Sequence, residues 1–125
     1  MKYILVAVAI ALILFTLTNK DPNIQTLHPQ NTILAFGDSL TYGYNAKPAE
    51  SYPAVLSEMT GLKVTNAGIL AETSQEGLRR LPQLLEDPSI KLMILCFGGN
   101  DMMQQVSMDV LKNNLKTMIQ MAKAK

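Results

Sequence analysis

The stretch TILAFGDSLTYG, residues 32–43, decides how the rest of the chain is read. Ile33 to Phe36 is an unbroken apolar run, as in a strand covered on both faces, and it stops at Gly37-Asp38-Ser39. A glycine and an acid end the strand, and a serine follows with a second glycine, Gly43, four residues later. A serine at such a strand end is either a turn residue or a nucleophile, and its partners elsewhere in the chain have to decide between the two.

Outward from this stretch the pattern alternates. A helix is predicted at Tyr52 to Thr60, closed by Gly61, and a second strand in LKVTNAG at 62–68. A further helix starts near Ser74, with Thr73 and Glu76 at capping-box spacing and Leu78, Leu81, Leu84 and Leu85 on one face. Pro82 predicts a kink or early break in it, and Asp87-Pro88 ends it. IKLMILCF at 90–97 reads as a third strand covered on both faces. In the last helix Leu111, Leu115, Met118, Ile119 and Ala122 are spaced for one buried face. The order βαβαβα implies a parallel sheet with right-handed crossovers between two layers of helices, an α/β three-layer sandwich.

The 125 residues allow one small domain, and not all of them read as domain. Residues 1–19 carry Lys2 ahead of an apolar run from Tyr3 to Leu17 and read as a signal peptide or N-terminal membrane anchor. Fifteen helical residues span about 22 Å, short of the roughly 30 Å hydrocarbon core, so both options stand. Residues 20–31 read as a linker, and the domain proper occupies 32–125. The segment implies export to a periplasmic or extracellular location, with membrane association through residues 3–17 if it is retained. A net charge of +1 without a basic cluster argues against nucleic acid as a partner. The single cysteine, Cys96, excludes an internal disulfide and a cysteine-based zinc site; within the third strand it reads as a buried, inert thiol.

In an open parallel sheet, ligands collect at the carboxyl ends of the strands. Those ends read GDSLTYG, NAGILAETS and GGND, each pairing glycine with polar groups. A nucleotide site is disfavoured because GDSLTYG lacks the Lys-Ser/Thr ending of a phosphate loop and no GxGxxG is present.

The blocks Gly37-Asp38-Ser39-Leu40, Asn66-Ala67-Gly68 and Gly98-Gly99-Asn100-Asp101 resemble, in order and spacing, those of the GDSL esterases and lipases, the SGNH hydrolase family. The resemblance implies a flavodoxin-like sheet of order 2-1-3-4-5, no metal or organic cofactor, and hydrolysis of small ester, thioester or lipid substrates. It implies Ser39 as nucleophile, with Ser39, Gly68 and Asn100 forming the oxyanion hole. Backbone N–H groups and an uncharged side-chain amide are suited to that task. Asp38 and Asp101 are read as structural carboxylates that fix their loops. Ala71 stands where many members of the family carry a second glycine.

The family's histidine lies in a DxxH motif, and this sequence contains none; its one histidine, His28, falls in the linker ahead of the first strand. The resemblance therefore places the catalytic histidine and aspartate beyond residue 125, with the domain truncated after the third strand and its following helix and inactive by itself. The alternative is a non-catalytic acyl- or glycan-binding module that lacks the base. Tyr42 and Tyr44 either line a substrate pocket or wedge the loop onto the first helix. Met102, Met103 and Met108 are expected in the core, with an apolar wall for an acyl chain as the other option.

Overall fold

A computed structural model describes residues 26–125. The expected leader or anchor and the first half of the expected linker lie outside the described residues. Three parallel strands, β1 (Thr32–Gly37), β2 (Lys63–Gly68) and β3 (Ile90–Cys96), form one sheet in the order β2-β1-β3. The helices are α1 (Ser39–Tyr42), α2 (Tyr52–Thr60), α3 (Ser74–Leu84), α4 (Gly99–Met103) and α5 (Met108–Lys123), with a short 3₁₀ turn at Pro48–Glu50.

β1 is the central strand, and all six of its residues are buried, which is why it carries no charge. The two crossovers run in opposite directions along the sheet. Right-handedness therefore sends α2 to one face and α3 with α5 to the other. On the second face Leu34, Phe36, Leu81, Leu85 and Met118 form the core cluster, joined at its margin by Met93 and Leu95. Full burial of side chains of this size contributes about 1.5–3 kcal/mol each, so β1 and Leu81 anchor the layer.

Local signals set the helix ends. Gly61 closes α2 in the left-handed conformation at φ 68°. The Thr73–Glu76 capping box opens α3, where the Thr73 backbone N–H donates to Glu76 Oε2 at 2.8 Å. That bond first, and a second from the Thr73 hydroxyl to the same oxygen at 2.7 Å, hold the Glu76 carboxyl below its ordinary range. Pro82 sits in the last turn, and α3 ends two residues later.

Three packing expectations are corrected. β3 is not covered on both faces: Lys91 and Leu92 are exposed, because β3 is the sheet edge among the described residues. On α5, Ile119 is 43% exposed while the polar Asn114 is buried beside Leu111 and Met118. Met102, Met103 and Met108 are exposed rather than in the core. A groove of about 1110 Å³ follows β3 and α5, lined by Ile90, Met93, Leu95, Leu115, Ile119 and Ala122; none of the candidate site residues enters it.

Candidate active site

The parallel register brings the three strand ends to one level. Gly37 pairs with Gly68 on one side and with Cys96 on the other, so all three loops leave the sheet side by side. Two backbone bonds stitch them together: Ile69 N–H to Gly37 O at 3.1 Å and Asp38 N–H to Cys96 O at 3.3 Å. Cys96 itself is half-buried.

Ser39 is the first residue of α1, directly after β1. Asp38 is buried and caps this helix, its Oδ1 accepting from the Leu40 N–H at 3.0 Å. The first N–H groups of a helix have no partner within it, and with Leu40 engaged by the cap nothing among the described residues accepts from the Ser39 N–H. Behind α1, the fully buried Thr41 is bonded to the Tyr52 hydroxyl at 3.1 Å. Burial is the main cause of the raised Tyr52 pKa, so this phenol stays neutral well into the alkaline range. Tyr42 and Tyr44 project into solvent at 53% and 63% exposure.

Gly68 is placed where α1 touches β2. A Cβ there would lie 2.6 Å from both Thr41 C and Tyr42 Cα, and closer still to Tyr42 N, so the position admits only glycine. Its N–H, which the sequence analysis assigned to the oxyanion hole, donates in this structure to Asn66 Oδ1 at 3.0 Å. Ala71, noted in the sequence as standing in a glycine's place, was given no donor role there. It holds φ +58°, a left-handed conformation unusual for alanine, and its residue is exposed. Among the described residues nothing accepts from the Ala71 N–H. The signal was present in the sequence as an alanine in a glycine's place.

Asn100 and Asp101 open α4 and are both buried. Asn100 Nδ2 donates to Glu72 O at 2.8 Å, which ties the third loop to the residue after Ala71 and leaves a second amide proton for a ligand. Asp101 accepts from the Ser74 N–H at 2.9 Å and from Ser74 Oγ at 2.5 Å, and Asn114 Nδ2 in turn donates to Ser74 Oγ at 2.9 Å. This network fastens the Asn100 loop to the start of α3 and explains the buried polar residue on α5. Beneath the loops the Arg80 guanidinium meets the buried Glu72 carboxylate at 2.5 Å and lies 4.5 Å above the Phe36 ring.

His28 is remote from all of this. It belongs to a turn ahead of β1, bonded to Asn31, and six residues of parallel strand at about 3.3 Å each put it roughly 20 Å from Ser39. Among the described residues no group of three or more His, Cys, Asp or Glu side chains is arranged to hold a metal ion.

Comparison with known proteins gives the family. A profile of the GDSL-like lipase/acylhydrolase family matches residues 35–125. The chain belongs to this family. It is 35% identical over 96 residues to thioesterase 1/protease 1/lysophospholipase L1 of Escherichia coli K12, covering 75% of this chain and 46% of that protein. It is 33% identical over 98 residues to the esterase TesA of Pseudomonas aeruginosa, covering 74% and 49%. Among solved structures, the SGNH-hydrolase family esterase AlinE4 superposes with a TM-score of 0.70 at 33% identity, over 79% of this chain and 56% of that one. This GDSL-family chain thus spans about half the length of the curated relatives it matches.

Proposed function

We propose that this chain carries the nucleophile and oxyanion half of a serine ester hydrolase, acting on an ester, thioester or lipid substrate. Ser39 Oγ attacks the carbonyl carbon, and the C–O or C–S bond to the leaving group breaks. The serine proton passes through a base to the departing alcohol or thiol. Water then enters the same carbon and releases the acid and Ser39. The oxyanion of each tetrahedral intermediate is held by the Ser39 N–H, the Asn100 amide and the Ala71 N–H. A single such donor is typically worth a factor of about 10²–10³ in turnover.

The observation that carries this reading is the joining of the three loops at one level. Gly37, Gly68 and Cys96 are in register, and the Asn100 side chain is tied to the residue beside Ala71. The base is a histidine from outside residues 26–125, because a serine hydroxyl is a weak nucleophile without one and His28 lies at the far end of β1. Export, with residues 3–17 as leader or anchor, belongs to the same proposal.

Phosphonate labelling of the isolated 125-residue chain tests it, with and without added imidazole. The expected result is slow labelling at Ser39 that imidazole accelerates and Ser39→Ala abolishes. Label that persists in Ser39→Ala removes the assignment. Saturable ester binding with no labelling under any condition favours a binding module instead.

A further inference from the structure

Arg80 is charged, stands on α3, and is 41 residues from Ser39 in the chain, yet its hydrogen bonds lead there. Its Nη2 donates to Ala67 O at 2.7 Å. That carbonyl shares a peptide with the Gly68 N–H, which donates to Asn66 Oδ1 at 3.0 Å. The other end of the same side-chain amide, Asn66 Nδ2, donates to Tyr42 O at 3.3 Å. The Tyr42 carbonyl shares a peptide with the Gly43 N–H, and this donates to Ser39 O at 3.1 Å. Four hydrogen bonds therefore run head to tail, each linked to the next through a conjugated amide, from a guanidinium to the backbone of the serine.

We propose that Arg80 is a positioning residue that acts through this relay to fix Ser39. Withdrawal of electron density at one carbonyl makes the N–H of the same amide a better donor, so aligned bonds reinforce one another by roughly 10–30% each. The full charge at the head of the relay gives every link the same sense. Glu72 holds the head in place: its carboxylate takes Arg80 Nε at 2.6 Å and Nη2 at 2.5 Å, while its own carbonyl receives Asn100 Nδ2 at 2.8 Å. Arg80 Nη2 also reaches Gly37 O at 3.4 Å. One ion pair thereby addresses all three strand-end loops. Only the planar fork of arginine can engage a carboxylate on one edge and a carbonyl on another, so lysine is not an equivalent here.

The assignment rests on the reading of Ser39 as nucleophile, and its hydrogen-bond readout does not. In the parent chain, NMR should show slowly exchanging Arg80 Nη2 protons with a through-hydrogen-bond coupling to the Ala67 carbonyl carbon. In Arg80→Lys the resonances of the Gly68 N–H, the Asn66 side-chain amide and the Gly43 N–H should all move, while Thr32 and Ser89 at the opposite end of the sheet stay put. Labelling of Ser39 by a phosphonate in the native protein should slow by about 10²-fold, the cost of a misplacement of the order of 1 Å. Asn66→Ala, at an exposed site, cuts the relay at its middle and should slow labelling similarly, with the double variant no slower than either single one. An Arg80 that only pairs with Glu72 and covers Phe36 predicts the reverse, with Asn66 and Gly43 unmoved and additive effects on labelling, and that result overturns the proposal. If Arg80→Lys does not fold, the parent coupling and Asn66→Ala decide: no coupling, or unchanged labelling in Asn66→Ala, overturns it. A parent that never labels removes the nucleophile reading while the coupling still tests the relay.

Discussion

Gly68→Ala separates a glycine needed for space from a glycine needed for its N–H, since alanine keeps the N–H. Gly68 does not have a positive φ, so in open space alanine would stabilise by about 0.4–1 kcal/mol through the unfolded chain. The space is not open. The new Cβ would stand 2.6 Å from Thr41 C and Tyr42 Cα, where ordinary contact begins near 3.4 Å, so the backbone of α1 must retreat by about 0.8 Å or more. Backbone cannot rotate aside as a side-chain tip can. Overpacking of this kind costs about 1–3 kcal/mol, and the upper part of that range is expected here. Because Ser39 sits on the displaced helix, phosphonate labelling should also fall by up to about 10²-fold. Urea denaturation gives the stability change, and labelling followed by mass spectrometry gives the rate. A variant within about 0.5 kcal/mol of the parent, labelling at the parental rate, refutes the claim that α1 and β2 are in backbone contact at this point.

Ala71→Gly should relieve a left-handed strain of about 1–2 kcal/mol, offset by about 0.4–1 kcal/mol of added unfolded-state entropy. The net expectation is a stabilisation of up to about 1.6 kcal/mol, measured as a higher urea midpoint with an unchanged slope. Asp101→Ala leaves the Ser74 N–H and hydroxyl buried without their acceptor and should cost about 2–4 kcal/mol, read in the same assay. Glu76→Gln tests the capping box through pH. The folded-state pKa of Glu76 is depressed below its ordinary 4.5, so its contribution is present above that value and lost as pH falls through the lower folded one. The stability gap between parent and variant should therefore close progressively below pH 4.5, and a gap that persists at strongly acidic pH contradicts the assignment.

Much of the fold was legible because local signals agreed with one another. The Ile33–Phe36 run, the Gly61 stop and the Thr73–Glu76 box each marked an element that formed where they stood. What the sequence left obscure were contacts between elements. Asn114 falls on the buried face of α5 because the Ser74 hydroxyl, itself bonded to Asp101, accepts from its amide there, and spacing alone carries no trace of that partner. Ile119 has the right period for burial, yet periodicity states which side faces inward and not whether anything lies opposite. Nothing in the sequence singles out Arg80, and only the fold reveals the carbonyls of Gly37 and Ala67 within its reach. In the site, Gly68 ends β2 and Ala71 lies in the loop that follows; which of them offers a spare N–H depends on the Asn66 side chain, whose rotamer no motif specifies.

A crystal structure of the phosphonate adduct of Ser39 tests the central claim most directly. The account predicts a phosphoryl oxygen about 2.7–3.1 Å from Asn100 Nδ2 and from the Ala71 N–H, with Gly68 still bonded to Asn66. An adduct whose phosphoryl oxygen turns to solvent, or a label carried by any other residue, would contradict it.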